Sequence, residues 1–261
     1  MSAIIQHTEA SHYYWPDGRP CYEVEMKSKP GEYRATTLAD ARKLGLIPSV
    51  TTRLSILDNP FLDSWRVEQA IIAALTLPGI EGESIDDRAR RIAEDSSKQV
   101  ADAMKLGTLI HTAAENYVLR CEVTNDPTIK HLFEPFRQWW DSECIETIYS
   151  EKSVVHHAEG YAGRVDGKSR FRSYGLAIWD IKTRKPSSKG KFQVYDKDIL
   201  QLAAYREADA LTLPKADTCL SILINSQEPG LHIHQWSQED IAHNWEAFQL
   251  ISKLWAKMKK F

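Results

Sequence analysis

The chain has 261 residues, 43% hydrophobic and 26% charged, with a net charge of −3, the proportions of a globular protein rather than a disordered or collagenous one. No apolar run reaches the length of a membrane span, and the opening MSAIIQHTEASHYY has neither the layout of a secretory signal nor that of an organellar one. Cys21, Cys121, Cys144 and Cys219 are scattered without a CxxC, which argues for reduced thiols and a cytoplasmic location, and against a disulfide framework or a cysteine metal site.

In chain order, His12 to Glu25 reads as a hairpin turning at Pro16-Asp17-Gly18. Thr37 caps a short helix that ends at Gly45, and Ser49 caps another through Leu57. Asn59-Pro60 opens a third by the cap-then-proline pattern, carrying Phe61, Leu62, Trp65 and Ile71. A loop from Pro78 to Glu83 follows. Ser84 to Arg120 is helical, with Leu106, Leu109, Ile110, Ala113, Ala114 and Tyr117 on one stripe and Gly107 as a possible break. Another amphipathic helix covers Thr128 to Cys144.

The pattern then changes to strands at Thr147–His157, Tyr161–Arg172 and Leu176–Thr183. A polar linker leads to a helix from Asp196 to Leu211, and Asp217–Asn225 with Leu231–Trp236 makes a second hairpin. Ser237 with Asp240 forms a capping box for the last helix, which buries Ile241, Trp245, Phe248, Ile251 and Trp255. This order predicts one α/β domain: a mixed central sheet flanked by helices, with a hairpin and helical N-terminal part over 1–83 and a core over 84–261.

One stretch, GRVDGKSRFRSYGLAIWDIKTRK (163–185), is chemically unusual. Between Arg164 and Lys191 there are nine Lys and Arg but only two acids, Asp166 and Asp180. That segment carries +7 in a chain of −3, so the remainder carries −10. Strand alternation puts Asp180 and Lys182 on the face shared by Leu176 and Ile178. Two carboxylates in a small space resist joint ionisation unless they share a cation. Oxygen ligands of this kind suit Mg²⁺ or Mn²⁺, and a nearby ammonium can meet a phosphate or a metal-bound water. The same residues also suit a plain Asp166-Gly167 turn, a surface ion pair of Asp180 with Lys182, and a solvated basic face.

The order Gly160, Gly163, Asp166, then Asp180-Ile181-Lys182-Thr183, then Gln201 and Tyr205 resembles the PD-(D/E)xK nuclease superfamily, in its RecB-like exonuclease branch. Gly107 and His111 match that branch's upstream G-x-x-x-H, while Pro48 to Thr52 and Leu62 to Trp65 are similar to the N-terminal part of phage exonucleases and the mitochondrial genome maintenance exonuclease. The resemblance implies a restriction-endonuclease-like core and a Mg²⁺-dependent deoxyribonuclease acting on DNA ends, with single strands preferred. It implies metal ligation by His111, Asp166, Asp180 and the carbonyl of Ile181, with Lys182 catalytic beside the two aspartates. Gln201 and Tyr205 would support the site or touch DNA, with Thr183, Arg164, Arg184, Lys185, Ser49, Thr51 and Glu151 as further contacts or supports. His111 is otherwise a core histidine, and Ser49 and Thr51 are otherwise helix caps. The iron–sulfur members of the branch hold their cluster with one early and three late cysteines. Only Cys219 lies downstream here, so no cluster is expected. The alternatives are a structure-specific or restriction-type endonuclease on the same core, or an inactive nucleic-acid-binding module.

Overall fold

Residues 11–57, 60–120, 122–187 and 189–261 are described by the structure, a computed structural model, with the backbone alone at 60–62. The expected cap at Asn59, the side chains of Phe61 and Leu62, and Cys121 lie outside the described part. The chain runs β1 (Tyr13–Tyr14), β2 (Glu23–Glu25), β3 (Tyr33–Ala35), α1 (Leu38–Leu44), β4 (Ile47–Pro48), α2 (Val50–Leu54), α3 (Pro60–Thr76) and α4 (Ile85–Arg120). It continues as α5 (Lys130–Glu143), β5 (Cys144–His156), β6 (Tyr161–Phe171), β7 (Gly175–Arg184), α6 (Asp196–Asp209), β8 (Thr218–Asn225), β9 (Leu231–Gln235) and α7 (Gln238–Lys259). Among the described residues no helix is long and apolar enough to cross a membrane.

The central sheet has the order β5-β6-β7-β8-β9. It is antiparallel except between β7 and β8, where a parallel pair requires the crossover that α6 supplies. The sheet therefore buries both faces. On one, Ile178 and Cys219 pack with Ile199, Ala203 and Leu202 of α6 and Phe248 of α7. On the other, Trp179, Ile181 and Ile222 meet Ile110 and Ala114 of α4 and Phe133, Phe136 and Trp140 of α5. Trp140 stands edge-on to Trp179 at 5.3 Å, an arrangement that ring quadrupoles favour.

The N-terminal part departs from its expected pairing. A short hairpin does form around Pro16–Gly18: Trp15 N–H donates to Arg19 O, Cys21 N–H donates to Tyr13 O, and Tyr14 bridges Pro20. It ends at Cys21 rather than running to Glu25, since β1 also pairs with β4 and β2 pairs with β3. Thr37 and Asp40 make a reciprocal capping box for α1, which ends at Gly45 in the left-handed region. Ser49 caps α2, but that helix stops at Leu54 rather than Leu57. Arg53 then fastens it: its guanidinium donates to Ser252 O and Gly160 O and lies 4.6 Å over Trp255.

α4 runs unbroken through Gly107, where a Cβ would meet Thr183 Oγ1 only at ordinary contact distance. At α7, Ser237 accepts the Asp240 amide, while its own hydroxyl donates to Asp240. This cap is one-sided, since the Asp240 carboxylate holds the hydroxyl and not the Ser237 amide. Ile241, Phe248 and Trp255 are buried, whereas Trp245 and Ile251 are half-buried. Losing a cap of this kind costs about 1 kcal/mol. Ser237→Ala is therefore expected to lower the unfolding free energy by about that amount, read in urea titrations.

Candidate metal centre and active site

β6 and β7 pair from Phe171↔Gly175 to Gly167↔Trp179, and their ladder ends there. Gly167 is obligatory at the last pair, because a Cβ would overlap the Trp179 ring. That ring is pinned by a 3.0 Å hydrogen bond from Nε1 to Ser169 Oγ. Past this point the strands fork, and the Ile181 amide donates to the Asp166 carboxylate at 2.7 Å. Asp166-Gly167 is thus mid-strand, not a turn.

Two nearly buried carboxylates meet at the fork, Asp166 at 7% and Asp180 at 1% exposure. Burial first, and the charge of Asp180 second, push the Asp166 carboxyl up to about 7. Glu151 sits across from Asp166, between the pairs Ser150↔Gly167 and Lys152↔Val165. Its backbone has φ +55, a left-handed conformation costing about 1–3 kcal/mol for a residue with a side chain. From there its carboxylate reaches α4. His111 Nε2 lies 2.9 Å from Glu151 Oε1 and 3.5 Å from Asp166 Oδ2.

One ligand atom each from His111, Glu151 and Asp166 fall within 4.8 Å of one another, close enough to hold one ion. His111 Nε2 and Asp180 Oδ2 are both buried and make no well-aligned hydrogen bond; what lies against them is an ion-pair partner, Glu151 Oε1 at 2.9 Å and Lys182 Nζ at 2.8 Å. Burial alone would lower the His111 pKa, yet Glu151, Asp166 and Asp180 outweigh it and raise it to about 9. Negative potential at the imidazole favours a cation there. Two carboxylates and an imidazole, with a third carboxylate beside them, fit a hard divalent ion such as Mg²⁺ or Mn²⁺.

Lys182 reaches both oxygens of Asp180, at 2.9 and 2.8 Å. Burial works against its charge, and Asp180 and Asp166 overcome this, leaving its pKa raised. Gln201 donates to Asp180 Oδ1 at 3.2 Å and lies 3.3 Å from the Tyr205 hydroxyl. Tyr205 is buried and presses on Gly163, where a Cβ would collide with its ring. Gln201 and Tyr205 accordingly brace Asp180, and Tyr205 is too enclosed to touch a DNA backbone.

The remaining expected residues divide. Glu151 joins the cluster directly, and Ile181 reaches it through its N–H. Thr183 faces α4 at Gly107. Arg164 is ion-paired with Glu151 and lies 3.8 Å from Glu115. Arg184 is not free for substrate: it holds Asp198 at 2.7 and 2.9 Å and stacks over Tyr195 at 4.2 Å. Ser49 is a buried cap, donating to Thr52 Oγ1 and accepting from the Thr52 amide. Thr51, exposed, lies 2.9 Å from it. Only Lys185 of the expected basic contacts is exposed and unpaired among the described residues. Glu115 escaped sequence reading, although its spacing of four from His111 puts both on one helix face.

No protein-family model matches the chain, and no curated protein matches it. Among solved structures it is similar to a "Putative exonuclease" from Eubacterium rectale, 11% identical, with a TM-score of 0.42 over 59% of this chain and 68% of that one. It is also similar to SSO0001, 13% identical, with a TM-score of 0.29 over 73% and 86% of the two chains. Likenesses this loose carry no functional argument, and the chemistry of the site has to do so.

Proposed function

We propose that the chain is a divalent-metal-dependent deoxyribonuclease of the PD-(D/E)xK type that hydrolyses phosphodiester bonds from DNA ends, with single strands preferred. The observation that supports this best is the fork between β6 and β7, where Asp166, Asp180 and Lys182 converge with His111 and Glu151, and one ligand atom each from His111, Glu151 and Asp166 lies within 4.8 Å of the others.

In this reading His111, Glu151, Asp166 and Asp180 Oδ2 hold the ion, and the Ile181 carbonyl is a further candidate ligand. A bound Mg²⁺ or Mn²⁺ acidifies a water and neutralises charge on the scissile phosphate. Lys182, kept protonated at Nζ by Asp180, orients the attacking water and meets the negative charge that develops on the phosphate. Gln201 and Tyr205 hold the Asp180 carboxylate in place. In the same proposal the described residues of the N-terminal part, 11–57 and 60–83, contact the substrate, and the core over 84–261 supplies the chemistry.

The test is digestion of end-labelled linear DNA and closed circular DNA, single- and double-stranded, in Mg²⁺. Loss of linear DNA with circles left intact is expected of an exonuclease. Cutting of circles would replace that reading by an endonuclease. His111→Ala is expected to need more Mg²⁺ for the same rate and to keep its melting temperature within a few degrees. If the histidine is only core packing, melting falls and the metal requirement does not move.

A further inference from the structure

We infer that a track for single-stranded DNA leads away from the site over the connection between β7 and α6 and along the edge strand β9, with Phe192 and His232 as a stacking step for bases. The inference rests on the proposed reading of the site as one that acts on DNA.

Charge is the first observation. Five of the nine basic side chains between Arg164 and Lys191 are neutralised by acids: Arg164 by Glu151, Lys168 by Asp209, Arg170 by Glu146, Lys182 by Asp180 and Arg184 by Asp198. Arg172 is turned onto the backbone at Ser142 O. Lys185, Lys189 and Lys191 are exposed, with no ion pair among the described residues. Apart from the exposed Arg172, the uncompensated positive charge of the basic stretch thus lies on one connection, directly after the strand that carries Asp180 and Lys182.

Aromatic rings are the second. The same connection carries half-exposed Phe192, whose ring lies 9° from parallel to that of exposed His232, with centroids 5.7 Å apart. His234 follows at 6.2 Å, and Trp236 lies 4.3 Å beyond it, edge-on. Residues 232, 234 and 236 share one face by strand alternation. The register Lys182↔Leu223↔His232 puts that face on the side of the sheet that bears Lys182. Two strand spacings separate Lys182 from His232, roughly 10 Å across the sheet.

Parallel rings, one exposed and one half-exposed, with Phe192 on the connection that carries Lys185, Lys189 and Lys191, suit a strand whose bases are free. Ammonium groups follow the phosphates, and rings take base faces without regard to sequence. In a duplex the bases stack on each other and their faces are unavailable.

The experiment uses the full chain carrying Lys182→Ala, expected to slow cleavage, in EDTA to suppress what remains, and measures anisotropy with a labelled oligothymidine, an abasic strand of equal length and a duplex. Phe192→Ala and His232→Ala are each expected to weaken oligothymidine binding about tenfold and to leave abasic binding unchanged. Phe192→Leu, which keeps the apolar volume, is expected to behave like Phe192→Ala. Replacing Lys185, Lys189 and Lys191 by Gln is expected to weaken both strands and flatten the salt dependence. Aromatic variants that bind oligothymidine as tightly as the parent, or that lose oligothymidine and abasic strand alike, would overturn the track. Cleavage by the otherwise unaltered chain separates the two readings: cleavage without a stacking effect sinks the track alone, and neither binding nor cleavage sinks both.

Discussion

Lys182→Ala is expected to lower turnover on DNA by about 10²–10³-fold, the size of losing one donor aimed at developing charge, while DNA affinity changes little. The ammonium lies within 2.9 Å of both Asp180 oxygens, and its side chain keeps 29% exposure, so it is anchored yet partly open to solvent. Lys182→Arg is not expected to rescue. A planar fork cannot replace a compact charge held between two oxygens of one carboxylate and still meet a phosphate. Asp180→Asn is expected to be comparably inactive, with partial recovery as Mg²⁺ rises. Single-turnover rates at saturating DNA and metal check all three. Wild-type rates for Lys182→Ala would reduce the pair to a structural contact.

Much of this site could be read from residue order, because its members sit on long elements with clear periods. The Asp180–Lys182 pair follows from alternation in β7, whereas His111 follows only from the resemblance of Gly107 to His111 to a G-x-x-x-H motif, since the stripe on α4 that buries Ile110 and Ala114 by itself argues for a core histidine. What escaped depends on distant partners. β1, β2, β3 and β4 are two or three residues long, and β1 reaches past β2 and β3 to pair with β4, so local pattern cannot match them. The turn of Glu151 toward His111 needs a left-handed residue inside a strand, and no propensity marks it. The basic stretch reads as a continuous field only until Asp198 and Asp209, supplied by α6, neutralise Arg184 and Lys168.

Lys168→Ala is expected to cost about 3–5 kcal/mol of stability, because it leaves the buried Asp209 carboxylate with only the looser charge of Lys152 at 3.6 Å. Lys168 and Asp209 are 1% and 0% exposed and lie 2.6 Å apart. Lys168 also donates to Pro214 O, and Asp209 accepts from Tyr149 at 2.9 Å. The network ties β6 to α6, which also carries Gln201 and Tyr205. Asp209→Ala is expected to cost as much, leaving Lys168 unpaired. Lys168→Met with Asp209→Leu is expected to recover most of the loss, since buried pairs replaced together by apolar groups are often neutral. For a chain of this length about 2–4 °C in Tm accompanies each kcal/mol, so thermal melts resolve the series. Equal losses in the singles and the double would mean that packing, and not charge, is what Lys168 contributes. The salt dependence of DNA binding should be unchanged in the double variant, because neither group faces solvent.

The most direct measurement of the central claim is the rate of single-stranded DNA cleavage as Mg²⁺ is titrated from an EDTA-treated baseline, for the unaltered chain and for Asp166→Asn. A metal held at the fork predicts no cleavage in EDTA, a saturable rise with Mg²⁺ in the unaltered chain, and little or none in the variant. Cleavage in EDTA at the full rate, or an Asp166→Asn variant that titrates like the unaltered chain, would contradict it.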